Sequence, residues 1–226
     1  MTQRETFPKA EIKILLLENV HPVAAEAFRA QGFQIETVKT ALSEAELVER
    51  LRDIHVLGIR SKTQITPVVL AEARHALVIG AFCIGTNQIA LGDASRAGVP
   101  VFNAPFSNTR SVAELILAEV VVLSRHLGDR SREVHDGRWR KVATGSHEVR
   151  GRTLGIVGYG HIGSQVGVLA EAFGMRVVFF DIGSRLPMGN NRPLPRLEDV
   201  LEIADFVTLH VPETSQTRNM IGPDEL

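Results

Sequence analysis

The sequence predicts an α/β protein of two doubly wound parallel-sheet domains, and three observations carry that expectation. Between residues 13 and 103 short apolar runs alternate with helix-like segments. Strands joined through helices need crossover connections, which produce a parallel sheet covered on both faces. A second series of the same kind begins at TLGIVG, residues 153 to 158. The length of 226 residues suits two domains of ordinary size.

The first series reads in order as strand KILLL, helix HPVAAEAFRAQ, strand QIETV, helix SEAELVERL, strand VLGIR, helix TPVVLAEA, strand ALVIGAF, helix QIALGDASRA and strand VPVFN. Ser43 with Glu46 three residues on has capping-box spacing, and Thr66 precedes Pro67 at a first helical position. TRSVAELILAEVVVLSRHL, residues 109 to 127, predicts a long helix, nearly apolar enough to be buried all round and placed between the domains. A polar helical stretch, DRSREVHDG, follows, and then Trp139 among Arg138, Arg140 and Lys141. The second series continues through a helix to about Phe173, strand RVVFF, a Pro- and Gly-rich loop, helix LEDVLEIA, strand FVTLHV and a helix expected to begin near Gly222.

Composition narrows the classes of function. Lys and Arg number 25 against 26 Asp and Glu, a net charge of -1 that gives no electrostatic reason to expect nucleic acid or an acidic membrane as partner. Small molecules fit better. The single Cys83 excludes an internal disulfide framework or a multi-cysteine metal site and suits a reducing, cytoplasmic compartment. The start MTQRETFPKAEIK has no apolar core of a leader, and the run ELILAEVVVL is interrupted by Glu114 and Glu119.

The chemistry concentrates at LGIVGYGHIG, residues 154 to 163. Gly158, Gly160 and Gly163 follow an apolar strand and open a helix, which is the setting a dinucleotide fingerprint requires. Gly158 permits the tight turn, Gly160 lets backbone amides approach a pyrophosphate at the helix N-terminus, and Gly163 allows helix to pack on strand. Asp181 immediately follows strand RVVFF, eighteen residues beyond Gly163, placed to accept hydrogen bonds from the adenosine ribose hydroxyls. That acid favours NAD over NADP, although Ser184 and Arg185 just downstream could tolerate a phosphate. Arg60 ends strand VLGIR, where open α/β sheets bind ligands, and a guanidinium there suits a phosphate or carboxylate.

Cys83 reads as a small buried hydrophobe and His210 as structural rather than a base; His161 reads as a contact in the turn. Trp139 fits either an interface anchor or packing within its own subunit. Glu114 and Glu119 are five apart and do not form a paired acid and base.

One βα domain, a long helix and a late glycine turn, with RSKT at 60 to 63, FCIGTNQI at 82 to 89, VFNAPFSNTRSVAEL at 101 to 115 and LGIVGYGHIG with Asp181, resemble the D-isomer-specific 2-hydroxyacid dehydrogenases throughout. The resemblance implies a flavodoxin-like substrate domain over residues 1–107 and a Rossmann NAD domain over 108–226, both incomplete at their C-terminal ends. It implies NAD-dependent oxidation of 3-phosphoglycerate to 3-phosphohydroxypyruvate, the first step towards serine, with a homo-oligomer as the full-length state. By matching position, Arg60, Ser61 and Asn108 contact substrate, and Lys62 falls among the basic residues that line the substrate entrance. His161 and Ile162 sit at the pyrophosphate, Asp181 at the ribose, Ile84 near the nicotinamide, and Val211 with Pro212 near the adenosine. An arginine, a glutamate and a histidine that do the chemistry in this family follow the strand matching FVTLHV, and the chain ends at IGPDEL before them. Those 226 residues are therefore expected to be inactive alone. Another 2-hydroxyacid as substrate, or a non-catalytic NAD-binding sensor or corepressor module, remain alternatives.

Overall fold

The structure, a computed structural model, describes residues 7–225. Residues 1–6 of the charged N-terminal stretch, and Leu226, lie outside the described residues. The chain divides into two compact units, one up to Ser107 and one from Asn108 onward.

In the first unit β1 (Lys13–Leu16), α1 (Pro22–Ala30), β2 (Gln34–Thr37), α2 (Glu44–Arg50), β3 (Val56–Ile59), α3 (Pro67–Glu72), β4 (Val78–Ala81), α4 (Leu91–Arg96) and β5 (Val101–Asn103) follow one another. The strands form one sheet in the order β2-β1-β3-β4-β5, parallel at every pairing, as the alternation predicts. Leu15 and Leu57 face one core with Leu47, Leu51, Ile59, Ile65 and Val69, while Ile14 and Leu16 face a second with Ala25 on the other side. Apolar residues at successive positions thus serve both faces of the sheet. Ser43 and Glu46 close their capping box, and the Thr66 hydroxyl accepts the Val69 amide at 3.3 Å.

The second unit runs α5 (Thr109–Ser124), α6 (Leu127–His135), β6 (Thr153–Val157), α7 (His161–Ala172), β7 (Arg176–Phe180), β8 (Arg192–Pro193), α8 (Leu197–Ile203) and β9 (Phe206–Leu209). Its sheet order is β8-β7-β6-β9, again parallel. β6 is buried along its whole length and lies between β7 and β9.

One sequence expectation is corrected. The long helix is not buried all round: Ala113, Leu117 and Val120 pack with Val166 and Ala170 of α7, while Leu115 and Leu123 on other faces are exposed. It clusters with the second unit and stops at Ser124, because His126 takes a left-handed backbone (φ 51°) that α-helix cannot continue through. From Gly222 the chain enters a turn, and the Glu225 carboxylate accepts the Gly222 amide at 2.8 Å. The two-residue β8 has no counterpart in the sequence reading.

Candidate functional site

In the second unit the glycine turn joins β6 to α7, and each glycine meets a different demand. Gly158 has φ +92°, and a Cβ there would lie 2.6 Å from the His210 carbonyl oxygen and 2.9 Å from Val211 Cγ1. Gly163 is buried, and its Cβ would fall on the Gly158 carbonyl oxygen. Gly160, the residue before α7, has open space where its Cβ would be. His161 is exposed and Ile162 is half-buried against the core of this unit. As the first residues of a 12-residue helix they lie at the positive dipole end of α7.

Asp181, directly after β7, is tied back to that turn. Its Oδ2 accepts the Tyr159 amide at 2.8 Å and its Oδ1 accepts the Gly183 amide at 2.8 Å. Arg185 Nε lies 3.4 Å from Oδ1, and the Asp181 side chain is 9% exposed. A carboxylate has roughly four acceptor positions, so capacity remains beside these three donors. Tyr159 stacks on Phe179, ring centroids 3.7 Å apart, and its hydroxyl accepts the Asn191 side-chain amide at 2.6 Å and the Met188 main-chain amide at 3.2 Å. The loop after Asp181 is thereby pinned to the turn at both ends. The geometry fits a dinucleotide: an open approach at Gly160, a helix N-terminus and an acceptor at the neighbouring strand end.

Val211 touches the position a Gly158 side chain would take, and the exposed Pro212 accepts the Thr217 hydroxyl at 2.6 Å. His210 is half-buried with its ring Nε2 3.0 Å from Thr208 Oγ1. Burial holds its pKa below the ordinary histidine value.

In the first unit Arg60, Ser61 and Lys62 follow β3 with exposed side chains, and half-buried Ile84 follows the neighbouring β4. Both loops leave the carboxyl edge of one parallel sheet. Gln88, 5% exposed, joins them, its Nε2 donating to the Arg60 carbonyl at 3.0 Å and to the Gly85 carbonyl at 3.3 Å. Asn103 Nδ2 donates to the Ile84 carbonyl at 2.7 Å. Asn108 belongs to the second unit, where its carbonyl accepts the Val112 amide and its side chain makes no cap.

Sequence reasoning missed Glu18. Its side chain is buried after β1, and its carboxylate accepts the amides of Arg60 at 3.0 Å, Lys62 at 3.0 Å and Thr63 at 2.9 Å. Burial raises its pKa, but the Thr63 hydroxyl and these amides outweigh that effect and hold the carboxyl below the ordinary glutamate value. An acid one residue past an apolar run carries no signal that would distinguish it from a solvated charge. Cys83 is half-buried rather than fully buried, its thiol 3.3 Å from Gln88 Nε2. Trp139 is 81% exposed and so packs little against the described residues.

Residues 117–226 match the family model described as D-isomer specific 2-hydroxyacid dehydrogenase, NAD binding domain. The chain is 54% identical over 226 residues to a D-3-phosphoglycerate dehydrogenase of Dictyostelium discoideum, covering all of this chain and 56% of that protein. It is 50% identical over 222 residues to the D-3-phosphoglycerate dehydrogenase of Escherichia coli strain K12, covering 98% of this chain and 54% of that one. The chain thus spans about half the length of these curated relatives. Among solved structures, the TT0316 protein of Thermus thermophilus superposes with a TM-score of 0.87 at 29% identity, over 95% of this chain and 69% of that one.

Proposed function

Because the chain belongs to the D-isomer-specific 2-hydroxyacid dehydrogenase family, we propose that it serves the NAD-dependent oxidation of 3-phosphoglycerate to 3-phosphohydroxypyruvate, the first step of serine biosynthesis. The observation that carries this reading is identity of 50% or more to dehydrogenases named for that substrate, over matches that cover 98% or more of this chain. NAD, when bound, accepts the hydride released from the carbon that carries the hydroxyl.

The chain's own residues divide the remaining work. In the second unit, the domain at 108–226, Gly158, Gly160, Gly163, His161 and Ile162 receive the pyrophosphate, Asp181 the ribose, and Val211 and Pro212 the adenosine. In the first unit, the domain at 1–107, Arg60, Ser61 and Lys62 bind the anionic groups of the substrate, with Ile84 an apolar neighbour of the nicotinamide. Asn108 completes the substrate contacts. A fixed guanidinium orients a phosphate or carboxylate as well as attracting it.

The setting is cytoplasmic and the assembly a homo-oligomer. Exposed Trp139, with Leu127 and Val134 of α6, supports the second point, since tryptophan is enriched where interfaces concentrate their binding energy. Among the described residues no helix is long and apolar enough to cross a membrane.

The test is NADH formation by the purified protein, prepared both as these 226 residues and from the full reading frame of its gene. Phosphorylated and unphosphorylated 2-hydroxyacids are compared. Turnover selective for 3-phosphoglycerate supports the reading; turnover only of unphosphorylated acids moves the substrate, and NAD binding without turnover of any acid favours a sensor.

A further inference from the structure

Glu18 is the buried charge of the first unit that the proposed chemistry leaves without a role, and its surroundings are unusual in two respects. Its backbone is left-handed, φ 58°, followed by Asn19 at φ 54°. A non-glycine residue held there is strained and persists only where the surroundings over-determine it. Its carboxylate is also satisfied by main-chain amides, and all three belong to residues 60 to 63. Charge-assisted bonds of this kind are about twice as strong as neutral ones.

The pattern of donors is selective. Of the four successive amides from Arg60 to Thr63, Glu18 takes those of Arg60, Lys62 and Thr63 and leaves that of Ser61. The loop is held from its carbonyls as well, by Gln88 on Arg60 at 3.0 Å and by Gln64 on Lys62 at 3.4 Å. The exposed Arg60, Ser61 and Lys62 side chains then stand on a backbone whose direction is set from within the sheet.

We propose that Glu18 is the positioning residue of the substrate loop: by holding the amides of Arg60, Lys62 and Thr63 inward, it presents the Ser61 amide, with the Ser61 hydroxyl and the Arg60 guanidinium, to an anionic group of the substrate. The proposal rests on the assignment of residues 60 to 62 to substrate. It differs from a plain stability role because it concerns the direction of donors, and so affects substrate affinity before turnover or cofactor affinity.

Steady-state kinetics of full-length E18Q test it. The glutamine side chain keeps the size but puts an NH2 group against one of the amides, and the KM for 3-phosphoglycerate is expected to rise about tenfold, the effect of losing a hydrogen bond to a charged group. The KM for NAD and kcat are expected to change little. Asp tolerates left-handed backbone better than Glu, so E18D, one methylene shorter, is expected to recover part of the affinity. An unchanged substrate KM, or equal losses in both KM values, overturns the proposal.

Amide hydrogen exchange and NMR titration of the wild-type protein test it without relying on a variant that folds. Protected amides at Arg60, Lys62 and Thr63, with Ser61 exchanging freely and shifting on addition of 3-phosphoglycerate or inorganic phosphate, support it. Equal exchange at all four, or no response at Ser61, overturns it. A wild-type protein that oxidises no 2-hydroxyacid retires the assigned reaction, while the Ser61 response still decides the role of Glu18.

Discussion

The Tyr159 amide donates to Asp181 Oδ2 at 2.8 Å, so the residue between the first two glycines of the turn is fixed by the acid at the end of the next strand. Asp181 therefore shapes the turn, and on the proposed reading it also offers acceptors to a ribose. Asp181→Ala is expected to weaken NAD binding by roughly ten- to a hundredfold, the cost of losing bonds to a charged acceptor. NADP should be weakened less, because the repulsion of its 2′-phosphate is removed at the same time. Calorimetric titration of both cofactors checks this, and an unchanged ratio of affinities takes Asp181 out of the ribose site.

Arg185 lies 3.4 Å from Asp181 Oδ1 and is half-exposed. If Asp181 holds the ribose as proposed, Arg185 competes with a ribose hydroxyl for that oxygen and supplies a cation beside a 2′-phosphate. With the Arg185 partner half-exposed, the pair is worth about 0–1 kcal/mol. Arg185→Ala should therefore leave NAD binding equal or slightly tighter and weaken NADP by up to about fivefold. The contrast should shrink as salt is raised, since the Arg185 guanidinium is open to screening.

Gly160 and Gly163 should respond to alanine in opposite ways. A Cβ at Gly160 meets open space, whereas one at Gly163 falls on the Gly158 carbonyl and 3.1 Å from Ile156 Cγ2. Gly163→Ala is expected to lower stability by about 1–3 kcal/mol, the usual cost of overpacking. Gly160→Ala should fold with stability within about 0.5 kcal/mol of wild type, yet bind NAD poorly because its methyl occupies the approach of the pyrophosphate. Denaturant midpoints and NAD titrations on both variants separate the effects.

The parts of this molecule that were legible in the sequence are those specified by neighbours along the chain. β3, β4 and β6 are continuous apolar runs because a parallel strand is buried on both faces. Ser43 and Glu46 announce α2 because capping acts across three residues. Long-range polar partnerships left no such mark. Glu18 meets residues more than forty positions away, and Tyr159 meets Asn191 across 32. The break between α5 and α6 at His126 was hidden for a related reason: no glycine marks it, and His126 is held instead by its ring Nε2 at 2.9 Å from the Gly145 carbonyl.

His210 should titrate below the ordinary value of about 6.5, since burial disfavours its charged form. As pH falls below about 6.5, the unfolded chain takes up the proton first, so stability declines from there to the folded-state pKa and is unaffected above it. His210→Gln should remove that part of the slope. Imidazole NMR titration gives the direction directly, and urea midpoints of wild type and variant across this window check the linkage.

Arg60 offers the sharpest test of the substrate assignment. Its backbone is held at both ends, the amide by Glu18 at 3.0 Å and the carbonyl by Gln88 at 3.0 Å, while its side chain is exposed. Truncating it therefore removes a guanidinium without removing the bonds that build the loop. Arg60→Ala should raise the KM for 3-phosphoglycerate by roughly ten- to a hundredfold, the range for a hydrogen bond between charged groups. The KM for NAD and the unfolding midpoint should hardly move. Arg60→Lys should restore little, because an ammonium supplies charge but not the planar two-point contact. Comparison with an unphosphorylated 2-hydroxyacid identifies the group being read. A loss confined to 3-phosphoglycerate assigns Arg60 to the phosphate, and equal losses assign it to the carboxylate. No loss with either acid returns Arg60 to the ordinary exposed surface and removes the main support for a substrate loop at the end of β3.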